Sequence, residues 1–113
     1  MPGAIDPGAL AAQIQAAMTA AAGKDISSLE GFSSEQLHDV AQQAATIAAG
    51  ALDGSITGDT QTYLLNSLAE LTRSFVNTLA GLVVVSTEEV WNAAVGVIWA
   101  AINQATGLAL KVP

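Results

Sequence analysis

From Ser74 to Leu110 the chain is apolar almost without relief, and Ser86-Thr87-Glu88-Glu89 is its one strong interruption. That run limits the possible folds more than any other feature. Ser86 and Glu89 have the spacing of a capping box, with Val85 and Val90 placed as the hydrophobic staple around it. Glu88 and Glu89 also suit the positive end of a helix dipole. The break therefore reads as a helix start, and the run predicts two antiparallel helices joined by a turn.

The second of these helices is the more demanding. Val90 to Leu110 holds no charged residue, and Val90, Trp91, Val95, Val97, Ile98, Trp99 and Ile102 spread round the helical wheel. Asn92, Asn103, Gln104 and Thr106 interrupt them. A helix apolar nearly all round must be buried nearly all round. Three neighbouring helices in so short a chain are not expected to achieve that. The outer faces of the two helices should then form an interface, with Phe75, Leu79, Leu82, Val90, Trp91, Val95, Ile98, Trp99 and Ile102 as the candidate contact residues.

Upstream, helix signals follow one another. Asp6 is a good N-cap, Pro7 suits the first helical position and Gly23 a stop, which predicts a helix over Pro7 to Ala22. Its stripe is Leu10, Ile14, Ala17, Met18 and Ala21, and Lys24 complements its C-terminal dipole. Lys24 to Phe32 reads as a loop, with one helical turn at Ser28-Leu29-Glu30. Ser33 and Gln36 make a second capping box, stapled by Phe32 and Leu37. The helix it opens runs from Ser34 to about Leu52, with Leu37, Val40, Ala44, Ile47 and Ala51 on one face, widened by Ala41, Ala45 and Ala48. A third helix is expected over about Thr60 to Val84, capped by Asp59 or Thr57. Its leucines and Phe75 (64, 68, 71, 75, 79 and 82) alternate steps of four and three, as in a coiled coil. Val83-Val84-Val85 is β-branched, but its flanks favour a helix end.

The expected fold is all-α: one domain over residues 1–113, a small three- to four-helix unit ending in an apolar helical hairpin. A polar, acidic half (1–59) precedes the hairpin (60–110). Of 113 residues only 12% are charged, about half the usual share of roughly 25%. Ten acids against three bases give a net charge of −7, which argues against nucleic acid and anionic membrane surfaces alike. Asp6, Asp25, Glu30, Glu35, Asp39, Asp53 and Asp59 all precede residue 60. No cysteine is present, so neither a disulfide framework nor a thiolate metal site can form. Met1 to Asp6 lacks the basic and continuous apolar regions of a signal peptide. Cytoplasmic synthesis, within a protein assembly or particle, is the expectation.

Motifs for chemistry are sparse. Asp53-Gly54-Ser55-Ile56-Thr57-Gly58-Asp59 matches the start of a calcium-binding EF-hand loop, with Asp53, Ser55, Thr57 and Asp59 as oxygen donors. The bidentate Glu due at the twelfth position is Leu64, so a turn between two helices is the better expectation. Gly50, Gly54 and Gly58 repeat at the spacing of membrane helix pairs, but interleaved Asp, Ser and Thr argue against a lipid-facing helix and for a helix end and a turn. His38 beside Asp39 and Glu35 lacks a catalytic partner, and Glu88 and Glu89, being adjacent, point apart. No nucleophile elbow or phosphate loop occurs. A catalytic role and a cofactor are therefore not expected.

What remains is a non-catalytic structural subunit that self-associates through its apolar C-terminal helices, as a shell, filament, ribbon or particle. Copies of itself, or related subunits, are the expected partners. A membrane-active or pore-forming protein inserting the hairpin is the first alternative. Between Asn92 and Asn103 lie ten residues, roughly 15 Å of helix against about 30 Å of hydrocarbon, which disfavours it. A helical subunit or adaptor of a hetero-complex is the second.

Overall fold

A computed structural model describes residues 5–23, 25, 26, 33–81, 87–107, 109 and 110. The described chain is all-α, with helices α1 (Pro7–Ala22), α2 (Ser34–Asp53), α3 (Gly58–Ala80) and α4 (Thr87–Thr106).

The helix boundaries follow local chemistry. Asp6 caps α1 through its carboxylate, which accepts the Gly8 N–H at 3.0 Å. Gly23, at φ 74°, ends the helix in a left-handed conformation and donates its N–H to the Thr19 carbonyl. The Ser33 hydroxyl accepts the Gln36 N–H at 3.1 Å, as its capping box requires. The Gln36 side chain reaches elsewhere: its Nε2 donates to Ser74 Oγ on α3, 3.5 Å away. Thr57 holds the N-cap position of α3 without a side-chain cap bond, and Asp59 lies inside the first turn. α3 ends at Ala80, where Gly81 caps it and donates its N–H to the Asn77 carbonyl, short of the expected end near Val84. The residues Ser86 and Val85 of the last capping box and staple, Lys24, the turn at Ser28-Leu29-Glu30, and Phe32 all lie outside the described residues.

Consecutive helices are antiparallel. The start of α1 lies beside the end of α2, Gln36 early in α2 meets Ser74 late in α3, and Arg73 late in α3 covers Trp91 early in α4. α4 packs on α1, α2 and α3, and α2 also touches every other helix, whereas α1 and α3 make no comparable contact. The cross-section is thus a flattened four-helix bundle with α2 and α4 on its short diagonal, 41 × 26 × 21 Å overall. α2 buries Ala41, Ala44, Ala45 and Ala48, and α4 buries Ala94 and Ala105. Small side chains let packed helices approach closely.

This arrangement corrects the expectation about α4. Three neighbours do bury its large side chains: Val90, Val95, Ile98, Trp99 and Ile102 join the core, with Phe75 and Leu79 from α3. Among the described residues the only exposed large hydrophobics are Leu52 and Tyr63, neither of them on α4. The third helix also departs from its expected seam. Leu65, Leu68, Thr72, Phe75, Val76 and Leu79 are buried, while Leu64 and Leu71 are half-buried. Because α3 meets both α2 and α4, it needs a stripe wider than a coiled-coil seam. Thr72 enters that stripe because its hydroxyl donates to the Leu68 carbonyl at 2.8 Å, leaving its methyl to pack. Ile26, expected in a loop, is buried as well, its N–H donating to Thr19 Oγ1 at 3.4 Å.

Candidate functional site

The residues expected to carry chemistry are dispersed. His38 and Asp39 are exposed on α2, and Glu88 and Glu89 are exposed in the first turn of α4. Among the described residues no group of three or more His, Cys, Asp or Glu side chains could hold a metal ion. Asp53 closes α2 ahead of Gly54 at φ 82°, and its carboxylate accepts the Ser55 N–H at 2.8 Å. The Ser55 hydroxyl first, and its backbone N–H second, hold the Asp53 carboxyl below its ordinary value of 3.8. Thr57 and Asp59 then serve the start of α3. The EF-hand-like residues therefore build a turn.

One hollow, of about 490 Å³, lies between Ile5 and Pro7 at the head of α1 and the outer side of α2. Its walls include Gln42, Ala45, Thr46, Ala49, Gly50, Asp53, Ser55 and Ile56. The polar groups along it serve the backbone. Thr46 donates its hydroxyl to the Gln42 carbonyl at 3.0 Å, and Asp53 is engaged by Ser55. Gly50 has a packing reason: a Cβ there would run into the Cδ1 and Cγ1 of Ile56, whose N–H bonds the Gly50 carbonyl at 3.0 Å.

The nine candidate interface residues fall as follows. Phe75, Leu79, Val90, Val95, Ile98, Trp99 and Ile102 are buried inside the chain. Trp91 is half-buried beneath Arg73, whose guanidinium carbon sits 4.1 Å from the ring centroid. That cation–π contact ties α3 to α4. Leu82 lies outside the described residues. Trp99 Nε1 is buried and finds no hydrogen-bond partner among the described residues.

The exposed surface of the bundle is sorted by charge. On α2 and α3 it carries Glu35, Asp39, Asp53, Asp59, Glu70 and Arg73. On α1 it is Gly8, Ala9, Ala12, Gln13, Ala16 and Ala20, and on α4, past the first turn, Asn92, Gly96, Ala100 and Gln104. α1 and α4 pack on each other, so these two uncharged faces belong to one flank. The division of the sequence into an acidic first half and an apolar second half is not how the surface divides, since α1 joins α4. The stripe on α4 went unread because alanine and glycine count as apolar in a periodicity scan; its signal was the four-residue spacing of Asn92, Gly96, Ala100 and Gln104. Asn103 differs from these amides. Its Oδ1 accepts the Leu110 N–H at 2.9 Å and its Nδ2 donates to the Leu110 carbonyl at 3.0 Å, fastening the segment after α4.

No protein-family model matches the chain, no curated protein matches its sequence, and no solved structure matches its fold.

Proposed function

We propose that the protein is a non-catalytic structural subunit that self-associates into a homo-oligomeric or polymeric assembly, with the α1/α4 flank as the contact surface. The observation that carries this reading is the sorting of charge. Each copy bears a net charge of −7, so copies meeting through α2 or α3 oppose carboxylate to carboxylate. Meeting through α1 and α4 opposes alanine, glycine and amide side chains. Small residues let backbones approach closely, and amides both donate and accept. Among the described residues no helix is long and apolar enough to cross a membrane. That, together with the burial of Val95, Ile98, Trp99 and Ile102, favours assembly over insertion of the hairpin.

Sedimentation over a range of protein and salt concentrations tests the reading. The expected result is a species heavier than the 11.4 kDa chain, favoured by salt because screening weakens the repulsion between acidic copies. Ala16→Glu should shift the population to monomer while Asn66→Glu, on α3, leaves it unchanged. A monomer under every condition would overturn the proposal.

A further inference from the structure

We infer that Asp53-Gly54 is a site of spontaneous backbone rearrangement, where the Gly54 nitrogen closes on the Asp53 carboxyl and leaves an isoaspartyl link between α2 and α3. The reaction needs only one copy of the chain and does not depend on self-association.

The sequence singles out the position. A main-chain nitrogen reaches the side-chain carboxyl before it most readily when its own residue carries no Cβ. The other aspartates are followed by Pro7, Ile26, Val40 and Thr60. Proline has no N–H to lose, and the other three are β-branched and crowd their own nitrogen. Only Asp53 is followed by glycine. Asparagines can rearrange in the same way, but Asn66, Asn77, Asn92 and Asn103 all lie within α3 or α4. There the nitrogen that would attack is held in the helical hydrogen-bond ladder.

The structure leaves the Gly54 nitrogen free. Gly23, Gly81 and Gly107 each follow a helix and donate their N–H to the carbonyl four residues back. Gly54 does not, because the Ile56 N–H takes the Gly50 carbonyl at 3.0 Å. Among the described residues the Gly54 N–H has no acceptor. Asp53, Gly54 and Ser55 are all exposed, and a Cβ on Gly54 would meet nothing within 4 Å, so the turn has room for a ring.

The carboxyl is drawn to the same place. Asp53 Oδ1 accepts the Ser55 N–H at 2.8 Å, which folds the side chain back across the Gly54 peptide. The Ser55 N–H and hydroxyl are also placed to stabilise the negative charge that builds on this oxygen during attack. The same donors favour the carboxylate, which is a poor electrophile. The rearrangement therefore runs through the protonated fraction and is slow.

In the first step the Gly54 nitrogen bonds to Asp53 Cγ, and the carboxyl hydroxyl leaves as water with the proton that the nitrogen gives up. The product is a succinimide. Water then adds to one of the two ring carbonyls and breaks its bond to nitrogen. Opening at Cγ restores aspartate. Opening at the main-chain carbonyl routes the backbone through Cβ and Cγ and leaves the α-carboxylate as a side group. The water lost is regained, and the net charge stays at −7. The β-linkage lengthens the main chain by a methylene ahead of Ile56. Both the Ile56 bond to Gly50 and its close seat on that glycine depend on the normal length of this turn, so the α2–α3 joint loosens.

Folded protein is incubated for weeks in heavy-oxygen water at mildly acidic pH, then digested. Mass spectrometry with electron-transfer fragmentation separates α- from β-linked aspartate. The expected result is heavy oxygen and β-linkage at Asp53, and neither at Asp6, Asp25, Asp39 or Asp59. Asp53→Glu, whose longer side chain would need a larger ring, should lose the label at this position. Label at Asp53 in urea but not in the folded chain would overturn the inference, since the fold would then protect the site. Equal label at Asp59, or none at Asp53 in either state, would overturn it too. The β-linked chain, separated by ion exchange, should unfold at lower urea than the unmodified chain. An equal midpoint would overturn the loosening of the joint.

Discussion

The α1/α4 flank and the α2/α3 flank enclose the same core, yet they finish their outer surfaces in different ways. α2 and α3 end in carboxylates, hydroxyls and an arginine, as helices facing water do, whereas α1 and, past Glu88 and Glu89, α4 end in alanine, glycine and amides. Inward the flanks are alike: Leu10, Ile14 and Met18 of α1 and Ile98 and Ile102 of α4 are as fully buried as Leu37, Val40, Leu68 and Phe75 opposite them. The core therefore does not account for the difference. A bundle needs a buried stripe on each helix and is indifferent to the rest. The composition of the outer faces is where this chain differs from an ordinary small bundle.

The largest test of that contrast sets Ile98 against its exposed neighbour two residues on. Ile98→Ala should cost about 2–5 kcal/mol of folding stability in urea melts. Ala100→Ser should leave the midpoint nearly unchanged, and a comparable loss at both positions would mean that the outer arc is packed after all. Next in size is Gly50→Ala, expected to destabilise by about 1–3 kcal/mol because Ile56 must give way. The same change at Gly96 should act in the opposite sense. Measured on the monomer at high dilution, Gly96→Ala should stabilise by about 0.5–1 kcal/mol, the helix-interior difference between the two residues. A destabilised Gly96→Ala monomer would place an unseen contact on the outer face.

The smallest effect belongs to the charged flank. Asp53 titrates below its ordinary value in the folded chain, so the folded state favours the carboxylate. Its contribution to stability is complete above 3.8 and is lost as pH falls through the lower folded value. Wild type and Asp53→Asn should accordingly converge in thermal midpoint as the solution is acidified. A gap that persists at the acid end would show that the charge is not what stabilises the turn.

Much of the architecture was legible in the sequence. Asp6, Pro7 and Gly23 bound α1 at its observed residues, and Ser33 opens α2 by the bond its capping box implies. Cap chemistry is local, so it reads directly. Tertiary arrangement is not, and it decided what was missed. The placing of α4 on the short diagonal could not be read from its own residues, because it depends on how the other three helices pack around it. For the same reason Leu65 and Val76 displaced Leu64 and Leu71 from the α3 core: α3 packs against two helices rather than one. Val95, Ile98 and Trp99 were expected outside because Gly96 and Ala100 count as apolar, which hid the four-residue spacing that joins them to Asn92 and Gln104. Hydrophobicity alone does not separate a small exposed residue from a small buried one.

The two tryptophans also give the molecule a built-in optical reporter. Trp99 is in an apolar interior with no acceptor for its indole N–H among the described residues, and Trp91 is half-buried under a guanidinium. Solvent relaxation, which moves indole emission to longer wavelength, is thus denied to Trp99 and partly open to Trp91. A single emission spectrum contains a blue component from the interior and a redder one from the α3–α4 seam. Loss of the blue component signals the opening of the core, while a change in the red one alone signals the parting of Arg73 from its ring. The two events can be followed separately, without a label, in a chain that offers no cysteine to attach one.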